Sequence, residues 1–150
     1  MCGLQQRMIV NCSIETATAM LAALLEERGR LAIRPHLMVP RLGIEMSLRR
    51  DVVVSAARLA GAKSWHVVWS PADGGTFPCF DGSLHFTPDE GSPETAALTL
   101  DGSYALSERA AADPVDRALA HRIEMATARA LLGELRGGLE RASRRQALEA

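Results

Sequence analysis

The sequence predicts an α+β domain in which a curved antiparallel sheet wraps around a long C-terminal helix. Apolar residues recur every three or four positions over 14–28 and again over 114–142, which is the spacing of a helix with one buried side. The segments between them alternate apolar and polar residues, which is the spacing of strands. At 1.5 Å per residue the last helix would be about 40 Å long, enough to cross a sheet of this size.

Both predicted helices have recognisable ends. Ser13 can cap the start of the first helix, and Gly29 can end it. Asp113 followed by Pro114 marks the start of the second helix. We expect that helix to end near residue 142 and residues 143–150 to form a frayed tail. Glycines that could bend it or end it earlier are Gly133, Gly137 and Gly138.

One side of the long helix is predicted to face the sheet. Its apolar stripe comprises Val115, Leu119, Ile123, Ala126, Ala130, Leu131, Leu135 and Leu139. Charged residues are assigned to the other directions, and they are Arg117, Glu124, Arg129, Glu134, Arg136 and Glu140.

Five segments between the helices are predicted strands, at 5–11, 51–59, 63–70, 80–87 and 95–104, and shorter ones are expected at 30–34 and 44–48. Turns at 61–62, 73–75 and 90–93 favour an antiparallel meander. Three of the strands have one apolar face, formed by Trp65, Val67 and Trp69, by Phe80, Leu84 and Phe86, and by Leu98, Leu100 and Tyr104. Such a face suggests a sheet that curls around the helix, with an interior that is either packed or hollow.

Composition excludes several functional classes. The 150 residues and 16.1 kDa suit a single domain over 1–150. A net charge of −1 disfavours nucleic-acid binding. The longest apolar run, 19–25, is too short to span a membrane, and with no cleavable signal before it we expect a cytoplasmic protein. Three cysteines without Cys-x-x-Cys spacing predict free thiols, at Cys2, Cys12 and Cys79.

The segment from Trp69 to Leu139 carries motifs of a known superfamily. They are Trp69, Thr76-Phe77-Pro78, Ser83-Leu84-His85-Phe86-Thr87-Pro88, Thr99-Leu100-Asp101-Gly102-Ser103-Tyr104 and a helix begun by Asp113. Together with the order of elements, they resemble the START-like or SRPBCC superfamily, which includes polyketide cyclases, aromatases and carriers of lipids or hormones. One departure is that a single helix follows the first strand, where such proteins commonly have two, so the mouth of the cavity near residues 29–45 is not defined by the resemblance.

The resemblance implies a helix-grip fold, in which the sheet surrounds the C-terminal helix and a hydrophobic ligand occupies a cavity between them. By position, it implies that the cavity is lined by one side of the helix 114–142, including Leu119 and Ile123, and by strand residues Trp69, Leu84, Phe86, Leu100 and Tyr104.

Few residues offer chemistry of their own. His36, His66, His85 and His121, with Cys79 and Asp81, lack a metal-ligand spacing, so neither a metal nor a cofactor is expected. His121 and Arg122 either bind a polar group of a ligand or lie on the surface. The Tyr104 hydroxyl either orients a ligand or bonds to backbone. Cys2 is an N-terminal nucleophile only if Met1 is removed, and an ordinary disordered residue is the favoured alternative.

Three functions follow as hypotheses. The leading one is the binding of a small hydrophobic molecule, such as a lipid, a polyketide or an aromatic compound, against Trp65, Trp69, Phe80, Phe86 and the helix stripe. The second is a cyclase, aromatase or dehydratase that uses the same cavity, with His121, Tyr104 and Asp101 as the first candidates for proton transfer. The third is an interaction module or homodimer that uses an exposed apolar strip on helix 14–28 or on an edge strand.

Overall fold

The computed structural model describes residues 2–28, 30–34, 36–41, 44–49, 51–58, 64–72 and 79–149. The elements in chain order are β1 (Cys2–Val10), α1 (Ile14–Arg28), β2 (Arg30–Ile33), β3 (His36–Arg41), β4 (Ile44–Arg49), β5 (Val52–Arg58), β6 (Ser64–Pro71), β7 (Phe80–Pro88), β8 (Ala96–Tyr104), α2 (Glu108–Ala112) and α3 (Pro114–Glu149).

Six of the strands form one antiparallel sheet in the order β1-β8-β7-β6-β5-β2, and β3 pairs with β4 in a separate hairpin. The sheet curls into a half-barrel next to the long helix α3. The prediction of an α+β helix-grip fold, with a curved antiparallel sheet around the C-terminal helix, is therefore confirmed. Strands β5 to β8 follow one another as the predicted meander, and β1 closes it by pairing with β8.

Alternating side chains decide which face of the sheet is covered. In β6 every second residue is buried, from Trp65 through Val67 and Trp69 to Pro71, while the residues between them are half-buried. A strand places successive side chains on opposite faces, so this pattern marks one face as the core. The same alternation holds at the start of β1, where Leu4 is buried between exposed neighbours.

Helix α1 follows its predicted bounds, and its apolar residues are buried against the rest of the domain. Ala17, Leu21 and Leu25 are at most 6% exposed, and no large apolar side chain is exposed among residues 14–25, which is where the interaction-module hypothesis places an exposed apolar strip. α1 packs against α3 at Gly138, where an added Cβ would lie 3.3 Å from the side chain of Leu24. The absence of a side chain at Gly138 therefore lets the two helices approach.

Helix α3 differs from its prediction in length and orientation. It continues through all three glycines to Glu149, so the end expected near residue 142 is wrong and the segment expected to fray is helical up to that residue. Val115, expected to face the sheet, is 73% exposed. The buried side of α3 starts one turn later and comprises Ala120, Ile123, Glu124, Thr127, Ala128, Leu131, Leu132, Leu135 and Leu139.

The caps agree with the sequence. The Ser13 hydroxyl accepts a hydrogen bond from the backbone N–H of Thr16 at 3.4 Å, and the Asp113 carboxylate accepts one from Val115 at 2.9 Å. The expected C-cap Gly29, the turns at 61–62 and 73–75 and the motif at 76–78 lie outside the described residues.

Three elements were not predicted as they stand. β1 begins at Cys2 rather than at residue 5, β3 lies at 36–41 where no strand was predicted, and α2 precedes the long helix. Within the part of the chain that the structure describes, no helix combines the length and the apolar character needed to cross a bilayer.

Candidate functional site

Backbone pairing arranges the interior face of the sheet in rows that run across the strands. The first, which we call the Trp69 row, consists of Val54, Trp69, Phe80, Tyr104 and Cys2 on five adjacent strands. The second, which we call the Trp65 row, consists of Trp65, Leu84, Leu100 and Gln6. Between them lies the glycine row, which consists of Val67, Gly82, Gly102 and Leu4.

A buried carboxylate faces the Trp69 row. Glu124 on α3 is 0% exposed, and its Oε2 accepts a hydrogen bond of 2.8 Å from the indole Nε1 of Trp69. Trp69 also stacks on Phe80, with ring centroids 4.0 Å apart and an angle of 13° between the planes. A carboxylate in an apolar interior is costly unless hydrogen bonds hold it, and such groups concentrate at functional sites.

Tyr104 connects this interior to the surface. Its hydroxyl lies 2.8 Å from Nδ1 of His121, a residue with an exposed side chain on α3. Burial above all, together with the charge and hydrogen bond of the neighbouring Cys2 and the charge of Glu124, raises the pKa of Tyr104 to about 12. The phenol is therefore neutral at physiological pH, available to donate or accept a hydrogen bond.

The glycine row makes space for the ring of Phe80. A Cβ on Gly82 would lie 2.5 Å from the carbonyl oxygen of Asp101 and 2.6 Å from Cζ of Phe80. A Cβ on Gly102 would lie 2.5 Å from Cα of Gly82 and equally close to Phe80, at 2.6 Å. Only glycine fits at either position, because β7 and β8 and the Phe80 ring already occupy the volume of a side chain.

The hydrogen-bond donors of the Trp65 row lack the strong acceptor that Trp69 has in Glu124. The indole Nε1 of Trp65 is buried and has no hydrogen-bond partner in the part of the chain that the structure describes. In the same row the Gln6 amide Nε2 donates to the thioether sulfur of Met125 at 3.3 Å. A thioether is a weak acceptor, so neither donor has a strong partner.

The predicted cavity-lining residues are almost all buried. Seven of the nine are at most 2% exposed, Phe86 is 9% exposed and Leu119 is half-buried. The seven are Trp65, Trp69, Phe80, Leu84, Leu100, Tyr104 and Ile123. Side chains with so little exposed surface border little space of the size of a water molecule, so a ligand reaches them only when neighbouring side chains move.

Two of the three residues considered for proton transfer meet, and the third does not. Tyr104 and His121 are in hydrogen-bond contact. The sequence had suggested a ligand or the backbone as the partner of the Tyr104 hydroxyl, whereas the observed partner is a side chain. Asp101 is exposed and its register places it on the outer face of β8, so its expected role in the cavity is wrong. Cys2 lies in β1 opposite Tyr104, and the expectation of a disordered residue is therefore also wrong.

Glu124 is the residue that sequence reasoning missed. Its charge placed it on the solvent side of the helix, whereas it is fully buried. The available signal was its spacing: Ala120, Glu124, Ala128 and Leu131 follow one another at four, four and three residues along the buried side. A charged residue inside such a stripe indicates a buried polar site.

Other polar groups lie away from the interior. His66 Nε2 and Asp81 Oδ1 are 2.7 Å apart on the outer face. An open groove of about 380 Å³ lies between β2 and α3, and charged Arg34, Glu134 and Arg141 contribute to its walls. Among the described residues, no group of three or more histidine, cysteine, aspartate or glutamate side chains is placed to hold a metal ion.

Comparison with known proteins identifies the architecture. No family model and no curated protein matches the chain. Among solved structures, the protein TTHA0849 from Thermus thermophilus is similar, with 13% identity, a TM-score of 0.55 and coverage of 95% of this chain and 99% of that one. The Zhui aromatase/cyclase from Streptomyces sp. R1128 has 13% identity, a TM-score of 0.52 and coverage of 96% and 94%. The fold is START-like.

This result confirms the resemblance inferred from the motifs between Trp69 and Leu139. A START superfamily protein from Mycobacterium smegmatis is also matched, with 16% identity, a TM-score of 0.43 and coverage of 89% of this chain and 96% of that one. In the helix-grip arrangement, α3 is the helix that the sheet surrounds, and the three rows lie on the inner face of the sheet. At such low identity the likeness concerns the fold alone.

Proposed function

We propose that the chain binds a small, predominantly apolar molecule between the sheet and α3, with the polar group of that molecule at the Trp69 row. The observation that carries this proposal is the placement of two hydrogen-bonded pairs, Glu124 with Trp69 and Tyr104 with His121, at one end of a predominantly apolar interior. Such a site gains affinity from apolar area and orientation from a few polar groups.

The polar end is also where a ligand reaches the interior. His121 is exposed, whereas Leu119 and Cys2 are half-buried, so the side chains become accessible towards the start of α3. Each 100 Å² of ligand apolar surface buried here contributes about 2.5 kcal/mol before the costs of association. The likeness in fold to an aromatase/cyclase supports aromatic and polyketide ligands, and lipids are the other class that the START-like fold supports.

Native mass spectrometry tests this proposal directly. The protein is incubated with a lipid extract and with a set of aromatic polyketides, and the expected result is a species with added mass that disappears on denaturation. Trp65 and Trp69 are the two tryptophans of the chain and both face the interior, so ligand binding also changes the intrinsic fluorescence. A protein that stays free of ligand, with unchanged fluorescence throughout, contradicts the proposal.

A pair of variants on one helix separates specific from surface binding. Leu119→Phe enlarges a half-buried side chain at the accessible end, and Val115→Phe makes the same kind of change one turn earlier at a residue that is 73% exposed. We expect Leu119→Phe to weaken binding and Val115→Phe to leave it unchanged. Equal effects of the two substitutions argue for adsorption to the surface.

A second candidate function is catalysis in the same interior. It is favoured by the buried carboxylate of Glu124 and the neutral phenol of Tyr104, which together offer a proton acceptor and a proton donor. The reaction class is an intramolecular aldol condensation of a poly-keto chain, in which one carbon–carbon bond forms and one water molecule leaves. Incubation with a synthetic poly-keto thioester should then give a product lighter by one water. Glu124→Gln should abolish this product and retain binding.

A further inference from the structure

The two tryptophans of β6 differ in how their indole N–H groups are held. They lie four residues apart on the same face, about 13 Å along the strand. Trp69 donates to Glu124 at 2.8 Å. Trp65 is 1% exposed, and its Nε1 has no partner in the part of the chain that the structure describes.

A buried N–H without an acceptor destabilises a protein, because the group has lost its hydrogen bond to water and gained none. Such atoms are few in native structures, and each requires an explanation. Phenylalanine would fill most of the same space between Leu84 and the strand β5 without an unpaired donor. The choice of tryptophan at position 65 is accounted for if an acceptor arrives with a bound molecule.

A second hydrogen-bond donor in the same row also lacks a strong acceptor. Gln6 Nε2 donates to the sulfur of Met125, which is a poor acceptor. Met125 is half-buried and has a flexible, unbranched side chain, which can move aside for a ligand more easily than a leucine or an aromatic ring. The Trp65 row therefore combines underused donors with a neighbour that can make space.

We propose that Trp65 is a specificity-determining residue, whose indole N–H donates a hydrogen bond to an oxygen atom within the apolar skeleton of the ligand. This inference rests on the proposed function, since it concerns a ligand of the same interior. It adds a second recognition point, about 13 Å along the strand from the polar end.

The residues around Trp65 indicate which kind of oxygen atom the indole N–H would bind. Leu84 and Leu100, the other members of the row between Trp65 and Gln6, are 0% exposed and apolar, which excludes a charged group. An N–H donor requires an acceptor, so a ketone, an ether or a hydroxyl oxygen fits and an ammonium group does not. We therefore expect the ligand to be a neutral oxygenated hydrocarbon at this position.

The test uses 1-tetralone and tetralin, two fused-ring compounds that differ by one carbonyl oxygen. The protein is labelled with ¹⁵N at tryptophan, which gives two indole N–H resonances in a heteronuclear spectrum because the chain has two tryptophans. Triple-resonance spectra of a second wild-type sample, uniformly labelled with ¹³C and ¹⁵N, assign them, so no variant is needed for this step. We expect 1-tetralone to move the Trp65 indole proton downfield and tetralin not to do so.

Affinity gives the second readout. The wild-type protein should bind 1-tetralone more tightly than tetralin, and Trp65→Phe should reduce this preference by roughly threefold to tenfold. Tetralin affinity should change little, because the substitution removes a donor that tetralin cannot use.

The outcomes separate the two proposals. Binding of both compounds with equal affinity, and without a downfield shift of the Trp65 proton, overturns the role of Trp65 and leaves the proposed function standing. No binding of either compound, together with the absence of ligand adducts in native mass spectrometry, overturns both. A shift confined to the Trp69 resonance assigns the ligand oxygen to the polar end and also overturns the role of Trp65.

Discussion

The Trp69 row and the Trp65 row belong to the same sheet, face the same helix and each contain one buried tryptophan. In the Trp69 row the helix supplies a carboxylate to the indole, and Tyr104 makes a further hydrogen bond to His121. In the Trp65 row the indole N–H has no hydrogen-bond partner within the described chain. The amide nitrogen of Gln6 donates to the thioether sulfur of Met125, which is a weak acceptor. The helix α3 supplies Glu124 and His121 to the first row and Met125 to the second.

This difference indicates that the two rows contribute differently to stability and to ligand recognition. The hydrogen bonds of the Trp69 row are complete without a ligand, so they contribute to stability as well as to recognition. The donors of the Trp65 row contribute little to stability and remain available for recognition. Substitutions in the first row should therefore affect folding strongly, whereas those in the second should affect ligand preference.

The largest expected effect lies between the two rows. Gly82→Ala places a Cβ 2.5 Å from the Asp101 carbonyl oxygen and 2.6 Å from the Phe80 ring, so the strands must shift and the stack of Phe80 on Trp69 is disturbed. We expect the free energy of unfolding to fall by about 3 kcal/mol, measured by urea denaturation.

The matched control for this substitution lies on α3. A Cβ on Gly133 would meet nothing within 4 Å, and alanine is the better helix former. Gly133→Ala should therefore stabilise the protein by about 0.5 to 1 kcal/mol. A Gly82→Ala variant as stable as wild type would show that the row is not closely packed around Phe80.

The next effect concerns pH and the Trp69 row. The pKa of Tyr104 is raised to about 12 by burial, with contributions from Cys2 and Glu124. An unfolded tyrosine has a pKa of about 10, so the stabilisation is complete below pH 10 and is lost as the pH rises from about 10 to about 12. The free energy of unfolding should fall by about 2 to 3 kcal/mol over this range.

Absorbance of the phenolate measures this pKa, because Tyr104 is the single tyrosine of the chain. Cys2→Ala provides the control: it removes the charge and hydrogen bond of Cys2 and preserves burial, so the pKa should fall but stay above 10. A wild-type phenol that titrates near pH 10 in the folded protein would contradict the buried position of Tyr104.

The third prediction compares the two tryptophans directly. Trp69→Phe removes the donor to Glu124, whereas Trp65→Phe removes a donor that is unpaired within the described chain. Both substitutions remove the same atoms, so the loss of packing is similar. We expect Trp69→Phe to be more destabilising by about 2 kcal/mol, which is the value of a hydrogen bond to a charged group. Equal losses in thermal or urea unfolding would remove the distinction between the rows.

Most of the fold could be predicted because periodicity responds to burial on one face. The alternation of Trp65, Val67 and Trp69 fixed the inner face of β6, and the bounds of α1 followed from its caps and spacing. The strand β3 was missed because Pro40 interrupts its strand pattern and because it pairs with β4 in a hairpin separate from the six-stranded sheet. The end of α3 was missed because the glycines at 133, 137 and 138 lower helix propensity without ending the helix.

The candidate site could be predicted only in its apolar part. Spacing indicates which apolar residues are buried, and the predicted strand residues from Trp65 to Tyr104 are at most 9% exposed. Glu124 could not be assigned by its chemistry, since a carboxylate is normally exposed and its burial depends on a donor 55 residues away in sequence. The contact between Tyr104 and His121 likewise depends on how α3 crosses β8, which local sequence does not determine.

The smallest effect tests whether the hydrogen bond at the open end of the Trp69 row is an independent unit. Tyr104→Phe, His121→Ala and the double variant form a cycle in which the changes in ring packing and helix propensity cancel. The coupling free energy should be about 1 kcal/mol, because His121 is exposed and water competes for its ring nitrogen. The Trp69 row would then be anchored chiefly at Glu124, and His121 would be free to exchange Tyr104 for a polar group of a ligand. A coupling of about 3 kcal/mol or more would instead mean that the open end is as closely held as the buried end, which would leave the Trp65 row as the part of the interior available to a ligand.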